Sequence, residues 1–269
     1  MTRKPPAGGH AFGPYVFGLG VIALALVALA LGTFLPGQPV PKGFPDRTAL
    51  AYAAAVFMLA AGAGLEWRRT AAWAAAALAA YYGLAVVILM DGRVVLRHWR
   101  EFIAYSNTAE QLAIFAGALI VFAARARVDG GLAARLTRAG QIVFGVCAVL
   151  FGGAHFFYMN LTAPLVPRWL PPSQEFWGYA TGVAHVAAGL AILTGVRARL
   201  AAILLTVMYA AFTPLVHLRL LLADPHNHGD WVENATNLVL TGAAWVVADS
   251  LAGKAAARAR RPRRSAARR

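Results

Sequence analysis

Residues 51–62 read AYAAAVFMLAAG, and residues 178–189 read GYATGVAHVAAG. Both stretches have tyrosine at their second position and end in Ala-Ala-Gly. Features around them recur in the same order: Phe17-Gly18 and Val40-Pro41 in the first half correspond to Phe144-Gly145 and Val166-Pro167 in the second. Most corresponding features lie 126 or 127 residues apart. A repeat of this length predicts a structural unit that has been duplicated.

The composition is typical of a membrane protein. The chain is 59% hydrophobic and 13% charged, with a mean hydropathy of +0.59, whereas soluble domains are about one quarter charged. A helix needs about 20 mainly apolar residues to cross about 30 Å of hydrocarbon. The sequence predicts eight such spans, of which the fourth and eighth are short and are expected to extend into their preceding loops: 15–35, 49–66, 71–90, 109–124, 141–160, 176–195, 200–218 and 234–249.

We therefore predict an all-α integral membrane protein whose eight transmembrane helices form two parallel-repeat four-helix bundles. The repeats are expected to be parallel because four crossings return the chain to its starting side, which places a pseudo-two-fold axis along the membrane normal. The predicted segments are an N-terminal tail (1–14), a first unit (15–124), a basic linker (125–140), a second unit (141–250) and an Arg-rich tail (251–269).

The arginine and lysine residues predict the orientation. The segments on the side of the two termini hold 18 of the 25 basic residues and three acids, and the opposite side holds seven basic residues and eight acids. The positive-inside rule then places both termini in the cytoplasm of a bacterial-type inner membrane. The net charge of +14 is accordingly expected to face the cytoplasm, where basic segments attract anionic lipid headgroups.

Several functional classes are disfavoured by the sequence. The tail from Arg258 to Arg269 has no interleaved aromatic residues for base stacking, so no nucleic-acid partner is predicted. Cys147 is the single cysteine, which excludes chemistry based on paired thiols. No GxSxG, HExxH or phosphate-binding glycine loop is present, and neither a cofactor nor a metal is predicted. These absences favour a non-catalytic role without deciding the question.

The two halves differ in the polar residues of their spans. The first span has Thr33 as its only strongly polar side chain, while the fifth carries His155 and the sixth carries His185. Ionisable groups are costly in hydrocarbon and normally face a bundle interior or a wet cavity. We therefore predict an inward-facing ligand site in the second unit, formed by His155, His185, Tyr209, His217, Glu233 and Asn237.

Some of these residues also have a purely structural interpretation. His185 shares a helical face with Gly182 and Gly189, so for this histidine taken alone a hydrogen bond across a close helix contact is favoured over a ligand-binding role. The polar stripe of Thr206, Tyr209, Thr213 and His217 on the seventh span is also typical of hydrogen bonding between helices, and Pro214 beside it predicts a kink. His226 and His228 are expected to lie in a solvated loop, because they lie only two residues apart with no helix or strand to bring them together.

The second half contains a series of short motifs: His155-Phe156-Phe157, the stretch Val166-Pro167-Arg168-Trp169-Leu170-Pro171-Pro172, the stretch Trp177 to Gly182, Ala187-Ala188-Gly189-Leu190, Arg197 and Arg199. In these residues it resembles the DoxX-like family. The resemblance covers 141–250 well and 15–124 mainly through the repeat. The similarity implies a small four-helix membrane protein of a kind whose relatives include a thiosulfate:quinone oxidoreductase subunit and a membrane partner in a thiol-redox complex. It implies no residue-level mechanism.

The function most consistent with these observations is an accessory protein of a membrane redox or envelope-stress process. It would have a small apolar or quinone-like ligand site in the second unit and, as the family implies, a membrane oxidoreductase partner. The alternative is a small-molecule or proton-coupled carrier. The Glu233 carboxylate is expected to lie between the imidazoles of His155 and His217, within hydrogen-bond distance directly or through one water. Tyr52 and Glu110 in the first unit are expected to matter much less.

Overall fold

The computed structural model describes the backbone of residues 11–259 and the side chains of residues 11–252. All regular structure in this part of the chain is helical. Eight helices are long and apolar enough to cross a bilayer. They are α1 (Gly13–Leu31), α2 (Arg47–Leu65), α3 (Ala71–Arg97), α4 (Phe102–Arg125), α5 (Gly130–Phe157), α6 (Gln174–Thr194), α7 (Ala198–Ala223) and α8 (His228–Ala259).

The helix boundaries follow local sequence. Helix α5 begins after Asp129, whose carboxylate accepts from the backbone N–H groups of Gly131 and Leu132, and α6 begins after Ser173, whose hydroxyl accepts from the N–H of Phe176. Such N-caps satisfy donors that the first helical turn leaves free. Helices α1 and α6 end at Gly32 (φ 60°) and Gly195 (φ 77°), in a left-handed conformation that glycine adopts without strain.

The expected extension of the fourth and eighth spans is confirmed. Helix α4 begins at Phe102 and α8 at His228, each several residues before its continuous apolar run. Most of the 125–140 segment, predicted as a linker, belongs to α5, so only 126–129 separate α4 from α5. The Arg-rich segment 260–269 and residues 1–10 lie outside the described residues.

The packing order is the same in both halves. In the first half α1 packs on α2, α2 on α3 and α3 on α4, and in the second half α5 packs on α6, α6 on α7 and α7 on α8. The halves meet through α1 against α8, α5 against α4, and α4 against α8. Helices α1, α4, α5 and α8 therefore form the centre of the molecule, with α2, α3, α6 and α7 outside.

Glycines allow one close helix contact in each half. A Cβ atom at Gly62 of α2 would meet Ile22 N at 3.0 Å and Gly18 O of α1 at 3.1 Å. At the corresponding place in the second half, a Cβ at Gly189 would meet the carbonyl oxygen of Gly145 at 2.6 Å. Glycine is thus required for these backbones to approach, as is common where membrane helices pack closely.

Helices α3 and α7 both contain π-helical turns, over Tyr81–Asp91 and Thr213–His217. In α7 the π-helical pattern would pair the carbonyl of Tyr209 with the N–H of residue 214, five positions later. Pro214 has no N–H. The kink predicted from Pro214 therefore takes the form of a π-helical turn, and it alters the direction of the side chains that follow, including His217.

Candidate functional site

The second half encloses a cavity of about 480 Å³ between α5, α6, α7 and α8, with part of α4 in its wall. This volume lies within the range of about 300–1,000 Å³ that is usual for small-molecule sites. Most of the wall is apolar, as in such sites. All six residues that the sequence analysis singled out lie in the wall: His155, His185, Tyr209, His217, Glu233 and Asn237.

Two histidines form the polar centre of the cavity. The Nδ1 atom of His155 lies 2.8 Å from the carbonyl oxygen of Phe151, and Nδ1 of His185 lies 2.8 Å from the carbonyl oxygen of Thr181. Because a carbonyl oxygen only accepts, each Nδ1 carries the proton, and each neutral ring retains an acceptor at Nε2. The two ring centroids are 4.9 Å apart.

Tyr209 lies beside these imidazoles. Its ring centroid is 5.4 Å from that of His185, and its buried hydroxyl has no hydrogen-bond partner among the described residues. At the corresponding positions of the first half, Tyr82 donates its hydroxyl to the sulfur of Met58 at 3.3 Å. The replacement of that methionine by His185 thus leaves the Tyr209 hydroxyl free. A buried polar group without a partner is costly and calls for an explanation such as a missing ligand.

His217 and Glu233 complete the polar wall without contacting each other directly. His217 ends the π-helical turn of α7, and Glu233 lies in the second turn of α8. Among the described residues, no direct hydrogen bond joins the Glu233 carboxylate to the imidazole of His155 or His217. The expected direct grouping of these three side chains is therefore not seen, although all three line one cavity.

The first half contributes to the cavity through α4. Ser106 and Glu110 both lie in its wall, and Glu110 also lines a small adjoining cavity together with Glu233. Glu110, which the sequence analysis expected to matter much less, is therefore a wall residue, because packing of α4 against α8 brings it to the cavity. The repeat offered a signal: Glu110 lies 127 residues before Asn237, so the two occupy corresponding places on α4 and α8.

Asn237 has a structural task in addition to its place in the wall. Its Nδ2 donates to the carbonyl oxygen of Tyr209 and to the hydroxyl oxygen of Thr213, both at 2.9 Å. The Tyr209 carbonyl is the one for which Pro214 offers no donor. Asn237 therefore stabilises the π-helical turn of α7 from the neighbouring helix, and only its Oδ1 remains to meet a ligand.

The segment between α5 and α6 forms one end of the cavity, through Leu165, Val166, Pro167 and Leu170. Side chains of the neighbouring helices hold this segment: Arg219 donates to the carbonyl oxygen of Leu165 at 2.9 Å, and Gln174 donates to that of Val166. Trp177 of α6 donates its indole N–H to the carbonyl oxygen of Pro171 at 2.8 Å. The Val-Pro-Arg-Trp-Leu-Pro-Pro stretch thus forms an anchored wall.

The corresponding space in the first half is nearly filled. A residual cavity of about 30 Å³ remains there, lined by Gln38 and Tyr82. The Gln38 side chain, 3% exposed, donates to the sulfur of Met58 at 3.5 Å, and Leu165 takes its place in the second half. His155 corresponds to Ala28. The larger cavity therefore belongs to the half that carries the imidazoles.

His226, in the loop before α8, and His228, the first residue of α8, are both exposed. Within residues 11–252 no group of three His, Cys, Asp or Glu side chains is placed to hold a metal ion. In comparisons with known proteins, a family model described as a domain of unknown function (DUF8561) matches residues 144–251. No curated protein and no solved structure matches the chain. The matched region nearly coincides with the predicted second unit (141–250), and it contains all six cavity-lining residues that the sequence analysis singled out.

Proposed function

We propose that this chain is a multi-pass protein of the bacterial cytoplasmic membrane, with both termini in the cytoplasm and two four-helix units related by a two-fold axis along the membrane normal. The matching helix contacts support the duplication, since α1 packs on α8 as α5 packs on α4. The spacing of helix starts supports it as well: α2 and α6 begin at Arg47 and Gln174, and α3 and α7 at Ala71 and Ala198, which are both 127 residues apart.

We further propose that the second unit binds a small apolar or quinone-like ligand. The observation that carries this proposal is the mostly apolar cavity of about 480 Å³ whose wall contains the imidazoles of His155 and His185. Apolar surfaces with a few fixed polar groups are the usual composition of sites for such molecules.

The histidine geometry suits a ligand of this class. With Nδ1 held by a backbone carbonyl, Nε2 accepts a hydrogen bond from a ligand hydroxyl when the ring is neutral. When the ring is protonated, Nε2 donates to a ligand carbonyl. The two situations correspond to the reduced and oxidised forms of a quinone. The unpaired hydroxyl of Tyr209 adds a group that can donate or accept.

The cellular role that we propose is that of a DoxX-like accessory protein in a membrane redox or envelope-stress process, with a membrane oxidoreductase as partner and anionic lipids around its basic cytoplasmic face. This role rests on the sequence resemblance, which is an association between families and not a mechanism. The cavity supports adding ligand binding to that role, and ligand binding can be measured directly.

The test is binding of a tailless quinone, dimethoxy-methyl-benzoquinone, to the purified full-length protein in detergent. Quenching of tryptophan fluorescence is a suitable signal because Trp177 lines the cavity. We expect saturable binding by the wild-type protein. His155→Ala removes one hydrogen-bonding group, worth about 0.5–1.5 kcal/mol, so the Kd should rise roughly 3–10-fold.

His226→Ala is the matched control, because His226 is an exposed loop histidine outside the cavity wall. It should bind the quinone with the wild-type Kd. Equal Kd values for the wild type, His155→Ala and His226→Ala would contradict the assignment of the imidazoles to the site, and non-saturable quenching would contradict the site itself.

A carrier is the second candidate, and the carboxylates of Glu110 and Glu233 at the α4–α8 contact are the observation in its favour. Ionisable groups of this kind serve proton-coupled transporters. Reconstitution in liposomes that contain a pH-sensitive dye separates the two functions. A carrier would move protons with its substrate and would lose this flux in Glu233→Gln, whereas a binding protein would show no flux in either form.

A further inference from the structure

A second opening lies on the outer surface of the second unit. It is an apolar groove of about 260 Å³ between α6 and α7, with Ala184, Ala187 and Leu204 in its wall and Arg197 at one end. Ala184, Ala187 and Leu204 are exposed on the surface that would face lipid. The groove is therefore open on the side of the molecule that would face the hydrocarbon of a bilayer.

The groove adjoins the ligand cavity. Met208 of α7 lies in the walls of both, and on α6 the groove residue Ala184 is followed directly by the cavity residue His185. From Met208 the groove follows α7 back to Arg197, which is eleven residues or roughly 16 Å of helix. The polar cavity and the apolar groove therefore meet at Met208. Methionine is unbranched and flexible, so its side chain adapts readily to a neighbouring group.

The first unit closes the same place with aromatic residues. Phe57 corresponds to Ala184 and Tyr81 to Met208, and their ring centroids lie 5.1 Å apart. The second unit thus differs from the first in both features at once: it has an enlarged cavity inside, and it has an alanine and an unbranched methionine where the first unit carries packed rings. The enlarged cavity and the open groove occur together in the second unit, which favours a single ligand that occupies both.

We propose that the groove between α6 and α7 holds the apolar tail of the molecule whose polar ring occupies the cavity, and that this molecule enters sideways from the lipid past Met208. This inference rests on the ligand-binding function proposed above and specifies the ligand as a lipid-soluble, tailed ring. Because the tail meets hydrocarbon both in the groove and in the bilayer, it adds little affinity. The groove serves instead to let a tailed ring reach the cavity.

The experiment compares two quinones with the same ring, the tailless dimethoxy-methyl-benzoquinone and decylubiquinone with its ten-carbon tail. The variant Ala184→Phe installs the residue that the first unit uses at this position, and Ala184, unlike Met208, lies in the wall of the groove and not in that of the cavity. We expect its Kd for decylubiquinone to rise at least roughly tenfold, while its Kd for the tailless ring stays at the wild-type value, because only the path of the tail is blocked.

Val183→Phe is the matched control, since this valine is an exposed neighbour on the same helix outside the groove. It should bind both quinones as the wild type does. If Ala184→Phe does not purify in a folded state, Ala187→Leu fills the same groove with a smaller change and should show the same selective loss.

The outcomes separate the two proposals. Unchanged binding of decylubiquinone by the groove-filling variants would overturn the tail assignment and leave the ligand site intact. An equal loss of both quinones would show that the substitutions damage the cavity, and it would also overturn a separate role for the groove. Absence of binding of either quinone to the wild type would overturn both proposals.

Discussion

At the level of single residues, the chemistry of the site arises from a few exchanges between corresponding positions of the two halves. His185 stands where the first half has Met58, His155 stands where it has Ala28, and Tyr209 keeps the tyrosine of Tyr82. In the first half the tyrosine hydroxyl bonds to sulfur, and in the second half it is left without a partner. The buried Tyr209 hydroxyl is therefore available for the ligand contact that the proposed function requires.

His185→Met tests this exchange, because it restores the residue of the first half. The Tyr209 hydroxyl should then donate to the new sulfur as Tyr82 does, so the variant should melt at or above the wild-type temperature. Loss of the imidazole should raise the Kd for the tailless quinone roughly 3–10-fold. Differential scanning fluorimetry and quenching titrations give the two quantities.

Met58→Leu controls for indirect effects, since it disturbs the corresponding core position in the first half. We expect its melting temperature to fall, because it removes the acceptor of two buried hydrogen bonds, with quinone binding unchanged. A large fall in the stability of His185→Met would favour the packing interpretation of this histidine over the ligand-binding one.

At the level of helices, α7 shows which properties of an element its sequence encodes. The spacing of its polar residues predicted a stripe along one face, and in the structure these residues have different roles. The Thr206 hydroxyl donates to the carbonyl oxygen of Ala202 in the same helix, whereas Tyr209 and His217 line the cavity. Pro214 predicted a kink but not a π-helical turn, because that form depends on Asn237 of another helix. Partners of this kind cannot be inferred from the sequence of one element.

Asn237→Ala should therefore act on the fold before it acts on binding. It leaves the buried carbonyl oxygen of Tyr209 without its donor, which costs about 1–3 kcal/mol. We expect a lower melting temperature together with weaker quinone binding, since the direction of His217 depends on the same turn. The measurement is thermal unfolding in detergent.

Asn107→Ala is the matched control, an exposed asparagine on α4, and it should leave the melting temperature unchanged. An Asn237→Ala protein as stable as the wild type would mean that water or another side chain replaces the amide, and the structural role assigned to Asn237 would then be wrong.

At the level of the whole molecule, the sequence predicted the eight apolar helices and the half that carries the cavity, because hydropathy and polar content are local properties. It did not predict that Glu110 reaches the cavity. A repeat reveals the order of helices within one unit, but it does not reveal how two units pack on each other. The contacts of α4 with α5 and α8 depend on the complementarity of two surfaces, and they place a carboxylate of the first half in the site of the second.

The proposed orientation in the membrane is also a property of the whole molecule, and single cysteines can test it. Cys147 is buried, and its replacement by Ala gives a background for labelling. Arg127→Cys lies between α4 and α5, and His226→Cys lies between α7 and α8; both positions are exposed. With basic residues held in the cytoplasm, an impermeant maleimide added to intact spheroplasts should label only His226→Cys. Inverted vesicles should give the opposite pattern, with label at Arg127→Cys alone.

Because three helices (α5, α6 and α7) separate the two positions, an odd number of crossings must place them on opposite sides. Labelling of both positions from the same side would therefore contradict the eight-span arrangement, and labelling of Arg127→Cys alone in spheroplasts would reverse the orientation while preserving the fold.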